Sequence, residues 1–127
     1  MRMWMVDPEI MCMKHLCLEH MHLHMFKKAF KNKRKLAGFI ANNLLEPQAV
    51  AARHKLLSEE LTRRKDATFP APHRSPLEED YTLIENLENK EAKIDQDKAL
   101  KELLQRCSRC KRRYEQKTKN MQRLRSA

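Results

Sequence analysis

Only one glycine, Gly38, occurs in 127 residues, and that scarcity constrains the fold more than any motif does. Tight hairpins and bulges draw on glycine for left-handed backbone, and strands draw on β-branched residues; this chain has few of either. Its Leu, Met, Ala, Glu, Lys, Gln and Arg are good helix formers. The expected fold is therefore all-α: a compact single domain of three main helices with a basic C-terminal extension.

Local signals place the helices. Asp7-Pro8 predicts a start, with Asp as N-cap and Pro at the first helical position. The stripe Cys12, Leu16, Leu23, Phe26 and Phe30 follows on one helical face, and the helix frays near Lys33 to Gly38. A second helix begins after Glu46-Pro47 and carries Val50, His54, Leu57 and Leu61. Residues 66–76, with Pro70, Pro72 and Pro76, read as a loop. A third helix at about 92–106 carries Gln96, Leu100, Leu103, Leu104 and Cys107 on one side. The last dozen residues lack apolar periodicity, as a helical extension or a disordered tail would. The expected division is a helical domain over 1–113 and a basic tail over 114–127. A core this thin calls for a staple or a ligand.

Charge narrows the classes of function. The chain carries 27 Lys and Arg against 17 Asp and Glu, a formal charge of +10. The excess is uneven: 13 basic and 6 acidic groups lie in 1–65, 5 and 10 in 66–105, and 9 and 1 in 106–127. Two basic blocks thus flank an acidic one. Lys27, Lys28, Lys31, Lys33, Arg34 and Lys35 run without an acid among them, and so, apart from Glu115, do Arg106 to Arg125. Such runs neutralise a phosphate backbone and displace its counterions, or else form a solvated face. A large two-domain enzyme is excluded by length. No stretch approaches the ~18 apolar residues of a spanning helix. No secretory signal is recognisable, so the expected setting is cytoplasmic (nucleoid-associated, or in a phage-infected cell) and not secreted. Four cysteines there read as structural, catalytic or metal-binding thiols.

Several residues could carry chemistry. His15, Glu19 and His22 fall at i, i+4 and i+7 on one helical face, and His20 and His24 form a second i, i+4 pair. Cys107-Ser108-Arg109-Cys110 is a C-x2-C pair of the kind structural zinc uses. Cys12 or Cys17, with His20 or His24, could complete its ligand set; the other reading leaves Cys107 a buried thiol. Seven of the eight methionines lie in the first 25 residues and read as adaptable core filling. Arg2 is too bulky for ordinary removal of Met1, which leaves a free α-amine, a nucleophile able to form a Schiff base with a sugar aldehyde.

The runs RMWMVDPEIMCMKHLCLEH, NNLLEPQAVAARHKLLSEELTRR, HRSPL and LLQRCSRCKRR together resemble the pyrimidine-dimer DNA glycosylase family, typified by the phage T4 endonuclease V type. The likeness covers about residues 1–113 in blocks and is nearest to the bacterial and archaeal-type members. It implies an all-α enzyme that binds UV-damaged duplex DNA, flips out a nucleotide and cleaves a glycosidic bond. In that family the N-terminal amine attacks the sugar and forms an imine, and β-elimination then breaks the strand. The resemblance places the amine at Met1 and its adjacent arginine at Arg2. The first-helix histidine falls at His15 and an accessory carboxylate at Glu19. The family's catalytic glutamate falls at His22, which can move protons but cannot supply a fixed negative charge to a developing cation. Glu19, one turn earlier, is the candidate substitute.

The expectation is thus a DNA repair glycosylase and abasic-site lyase with Met1, Glu19 and His22 catalytic and Arg2 and His15 binding substrate. Lys27, Lys28, Lys31, Arg34, Arg53, Arg112 and Arg113 are candidate partners of the DNA backbone by charge. An imine lyase requires no cofactor; zinc on Cys107 and Cys110 would be structural. Double-stranded damaged DNA is the implied partner, with no membrane and no obligate protein partner. The alternatives are a catalytically impaired helical DNA-binding relative and a zinc-stapled interaction module.

Overall fold

Helices carry the backbone of the computed structural model, which describes residues 1–64, Leu77 and residues 81–126; no strand occurs among them. They are α1 (Met13–Lys31), the short α2 (Ala37–Ala41), α3 (Val50–Arg64), α4 (Gln96–Arg106) and α5 (Ser108–Ser126), with 3-10 turns at Pro8–Ile10, Pro47–Ala49 and Tyr81–Ile84. The loop expected over 66–76 lies outside the described residues.

The stripes hold. Leu16, Leu23, Phe26 and Phe30 of α1 are buried, as are Val50, His54, Leu57 and Leu61 of α3, and the two helices pack on each other. None of the described helices is long and apolar enough to cross a membrane. The helix starts shift for local reasons. Asp7 caps only the first 3-10 turn, its side chain accepting from the Glu9 N–H at 3.0 Å. Met11 and Cys12 then turn extended, Met11 sinks into the core, and Cys12 becomes the N-cap of α1. In α4, capped by Asp95, the inward face is Ala99 and Leu103, with Cys107 next in register; Gln96 stays exposed. The basic tail is helical: α5 runs unbroken through residues 113 and 114 to Ser126.

With so little glycine, left-handed backbone falls elsewhere. Gly38 sits inside α2, while Asn43 (φ 63°), Asn89 (φ 59°), Lys33 (φ 52°) and Met5 (φ 57°) take positive φ. Asparagine tolerates that region; methionine does so at a cost of ~1–3 kcal/mol, which the surrounding packing must offset. That packing is visible at once: Met3, Trp4 and Val6 are buried, and the Met3 N–H donates to Leu44 O at 2.8 Å. The N-terminal segment is therefore part of the core. Met3 and Met11 fill it as expected, whereas Met21 and Met25 lie exposed.

Two ion-pair groups lock the layers. Glu19 and Arg53, essentially inaccessible, join α1 to α3: Nε and Nη2 of Arg53 donate to the two carboxylate oxygens at 2.6 and 3.1 Å, and Nη1 donates to Val6 O at 2.6 Å. Lys117 of α5 pairs with Asp7 and, at 2.7 Å, with Glu9.

Candidate functional site

Two helix N-termini meet beneath the N-terminal segment. Cys12 caps α1, and His15 lies three residues on. Cys107 is the extended residue separating α4 from α5, and Cys110 lies in the first turn of α5. A C-x2-H therefore faces a C-x2-C. Their four ligand atoms lie within 4.8 Å of one another. Cys12 Sγ is 3.8 Å from Cys107 Sγ and 3.2 Å from His15 Nδ1, and Cys110 Sγ is 3.8 Å from His15 Nδ1. Zinc–sulfur bonds of ~2.3 Å at tetrahedral angles put sulfurs about 3.8 Å apart and a sulfur and a nitrogen about 3.6 Å apart. The cluster has the donor types and the spacing of a Cys3His site and could bind a metal such as zinc.

The surroundings suit thiolates. Cys110 Sγ accepts the Cys12 N–H at 3.1 Å, and Cys107 Sγ accepts the Cys110 N–H at 3.5 Å. Both donors belong to helix starts, where the backbone dipole favours negative charge. Burial opposes ionisation of Cys107, but the N–H of Cys110, the neighbouring thiols and the N–H of Arg109 together hold it below the ordinary thiol range. Burial pushes the Cys110 thiol up to about 12. A cation is what would let all three sulfurs ionise together. Burial, then the charge of Lys14, lowers the His15 pKa and favours the neutral imidazole that a metal requires.

Of the ligands considered from sequence, Cys107 and Cys110 are joined by Cys12, as one option had it, and by His15 rather than His20 or His24. Cys17 stays outside. The missed signal was the spacing of Cys12-Met13-Lys14-His15, the same x2 gap as the cysteine pair. His20 and His24 meet His54 of α3 instead, in a second cluster.

The face shared by His15, Glu19 and His22 is genuine helix geometry, but three different elements engage it. His15 turns to the cysteines and Glu19 to Arg53. His22 Nδ1 accepts the Arg2 N–H at 3.3 Å, which sets the chain's first peptide unit, and Met1 with it, against the middle of α1. Burial foremost, then the charge of the N-terminal amine, lowers the His22 pKa; the Arg2 N–H and Glu19 oppose this more weakly. The Arg2 guanidinium lies 3.4 Å above the Trp4 ring, and its Nη1 donates to Glu102 at 2.9 Å. Arg53, buried on Glu19, presents no surface to a phosphate.

The other cations expected to meet the DNA backbone reach solvent in two places. Lys28, Lys31 and Arg34 are exposed at the C-terminal end of α1, with Lys27 partly so. Beside the Cys3His cluster, Arg64, Arg109, Arg112 and Arg113 line an open groove of about 620 Å³ with Cys12 and Met13. The Arg113 guanidinium donates to Glu9 O at 2.8 and 3.0 Å. At 1.5 Å per residue, the 19 residues of α1 separate the two basic regions by about 28 Å, with His22 near midway.

Fold and site together define a small, basic, all-α protein whose first long helix meets the junction of its last two helices at a Cys3His cluster. Compared with known proteins, the chain matches no family model, no curated protein and no solved structure.

Proposed function

We propose that the protein binds duplex DNA and acts on damaged or abasic nucleotides through its N-terminal amine, as the pyrimidine-dimer glycosylases it resembles do. The observation that carries this reading is the Arg2 N–H···Nδ1 His22 bond, which brings the N-terminus beside a proton-transfer group on α1. With Nδ1 accepting, a neutral His22 carries its proton on Nε2. In the glycosylase step the Met1 amine attacks C1′, the C1′–N bond breaks and the base leaves with the bonding electrons; the aminal then gives up an N–H proton, its C1′–O4′ bond opens with O4′ taking a proton, and the imine results. On an abasic sugar the same amine condenses with the aldehyde and releases water. Loss of a C2′ proton then expels the 3′ phosphate and leaves a strand break. His22 relays the protons these steps require. The lysines ending α1 and the arginine groove at the start of α5 grip the backbone on either side, a span within one turn of duplex. Zinc, if held by Cys12, His15, Cys107 and Cys110, would be structural and would tie α5 and its arginines to α1.

Borohydride trapping tests the mechanism. Tag-free protein is incubated with UV-irradiated and abasic-site duplexes and then reduced. A covalent protein–DNA band on both, abolished when the α-amine is blocked, is the expected result. A band on the abasic duplex alone restricts the activity to a lyase. No band, with salt-sensitive DNA binding intact, refutes the chemistry.

A second reading has its own observation. Histidine stands where the resemblance expects the catalytic glutamate, and Glu19 is fully buried on Arg53. Both facts suit a DNA-binding relative without catalysis. Strand cleavage by His22→Glu where the wild type has none would decide for it.

A further inference from the structure

The α1–α3 interface holds a group of metal-ligating side chains apart from the cysteines. His20 and His24 lie one turn apart on α1, and His54 lies opposite on α3. Their ring centroids are 5.1 Å (His20–His24), 4.5 Å (His20–His54) and 4.7 Å (His24–His54) apart. His24 Nε2 and His54 Nε2 face each other at 3.0 Å, and one nitrogen from each of the three rings falls within a common 4.8 Å. We propose that His20, His24 and His54 form a second metal site, which takes a divalent first-row transition ion of the zinc type.

The geometry is near what coordination requires. Metal–nitrogen bonds of ~2.0–2.1 Å at tetrahedral angles put ligand nitrogens about 3.3 Å apart, so small ring rotations suffice. Two histidines at i and i+4 on one helical face are a recurrent metal-binding pair, and the neighbouring helix adds a third. A donor set of imidazoles alone suits zinc, copper and nickel rather than magnesium or calcium. His20 and His54 are buried, while His24 is only partly so, and the cluster therefore reaches the surface at His24. Three protein ligands leave a coordination position for water on that side.

At 3.0 Å the facing Nε2 atoms of His24 and His54 are within hydrogen-bond reach, and with both rings neutral one of them donates and the other accepts. An ion takes the place of that N–H···N bond, and the ring that had donated shifts its proton from Nε2 to Nδ1, which leaves both Nε2 lone pairs for the ion. The site is independent of DNA binding and of the N-terminal chemistry.

The test uses the full chain with the cysteine cluster first filled by one equivalent of zinc. A second equivalent is titrated in calorimetrically, and the imidazole nitrogens are followed by long-range 1H–15N NMR. The expected result is a second binding event that shifts the three imidazole resonances. His24→Gln should retain the first equivalent and lose the second. Absence of a second event, a second event that leaves those resonances unmoved, or equal uptake by a folded His24→Gln overturns the assignment. If circular dichroism shows His24→Gln unfolded, the wild-type resonances decide alone.

Discussion

Replacing Arg53 with Met isolates what the buried ion pair contributes. Glu19 has no exposed surface and Arg53 only 3%, so water cannot take over the lost hydrogen bonds. A buried pair broken by removal of one partner costs about 3–5 kcal/mol, chiefly because the remaining charge is left uncompensated. Loss of the donor to Val6 O acts in the same direction. At an unfolding entropy of ~2.1 cal/mol/K per residue, 1 kcal/mol corresponds to about 4 °C for a chain of 127 residues. Arg53→Met should therefore lower Tm by about 12–20 °C in thermal unfolding followed by circular dichroism. Glu19→Leu combined with Arg53→Met should recover most of the loss, with a coupling of at least about 2 kcal/mol, since an apolar pair of similar volume is often no less stable. A Tm within about 4 °C of wild type for Arg53→Met, or strict additivity in the double variant, would refute the account. The outcome bears on function too. If Glu19 serves the fold, Glu19→Gln loses stability; if it serves proton transfer, the variant keeps its Tm and loses imine trapping.

Three other outcomes are expected. Titrating the thiols of the zinc-loaded protein with a mercurial should release zinc to an indicator dye and lower Tm; Cys110→Ser should weaken zinc binding by more than the ~10–100-fold typical of outer-shell changes, and Cys17→Ser should not alter it. Glu60 is held below its ordinary value of 4.5: burial opposes this, and hydrogen bonds from Arg64 and Arg63 outweigh it. Its contribution to stability is then complete above 4.5 and fades as pH falls through the lower folded value, so Glu60→Gln should flatten the acid limb of the Tm–pH curve while leaving its shape above pH 5 unchanged. Neutralising Lys28, Lys31 and Arg34 together should reduce the salt dependence of duplex binding by about 0.9 in log–log slope for each phosphate they no longer neutralise. An unchanged slope would remove that block from the DNA interface.

The helices were legible in the sequence because their causes are local. Apolar spacing within one helix turns the same residues inward whatever they meet, which is why Leu16, Leu23, Phe26, Val50 and Leu57 are where periodicity put them. Scarce glycine and few β-branched residues excluded sheet by the same short-range logic. The cysteine pair was legible as half a metal site, since a C-x2-C reads within one helical turn. The other half depended on a meeting of segments 95 residues apart, where Cys110 reaches His15. No periodicity specifies such a meeting, so His15 read as a substrate-binding candidate on the face it shares with Glu19 and His22. Glu19 and Arg53 illustrate the same division. Each read as a group available for chemistry or for phosphate, yet they lie 34 residues apart in sequence and close on each other in the core. His54 read as part of a stripe, and its stripe position is what delivers it to His20 and His24. The sequence alone determined that the chain is helical and which faces of α1 and α3 turn inward, because those follow from one helix at a time; in α4 the face is rotated toward Ala99 and Leu103. Only the tertiary structure decided which polar groups share a centre, because each such centre is made by helices that the chain brings together from far apart.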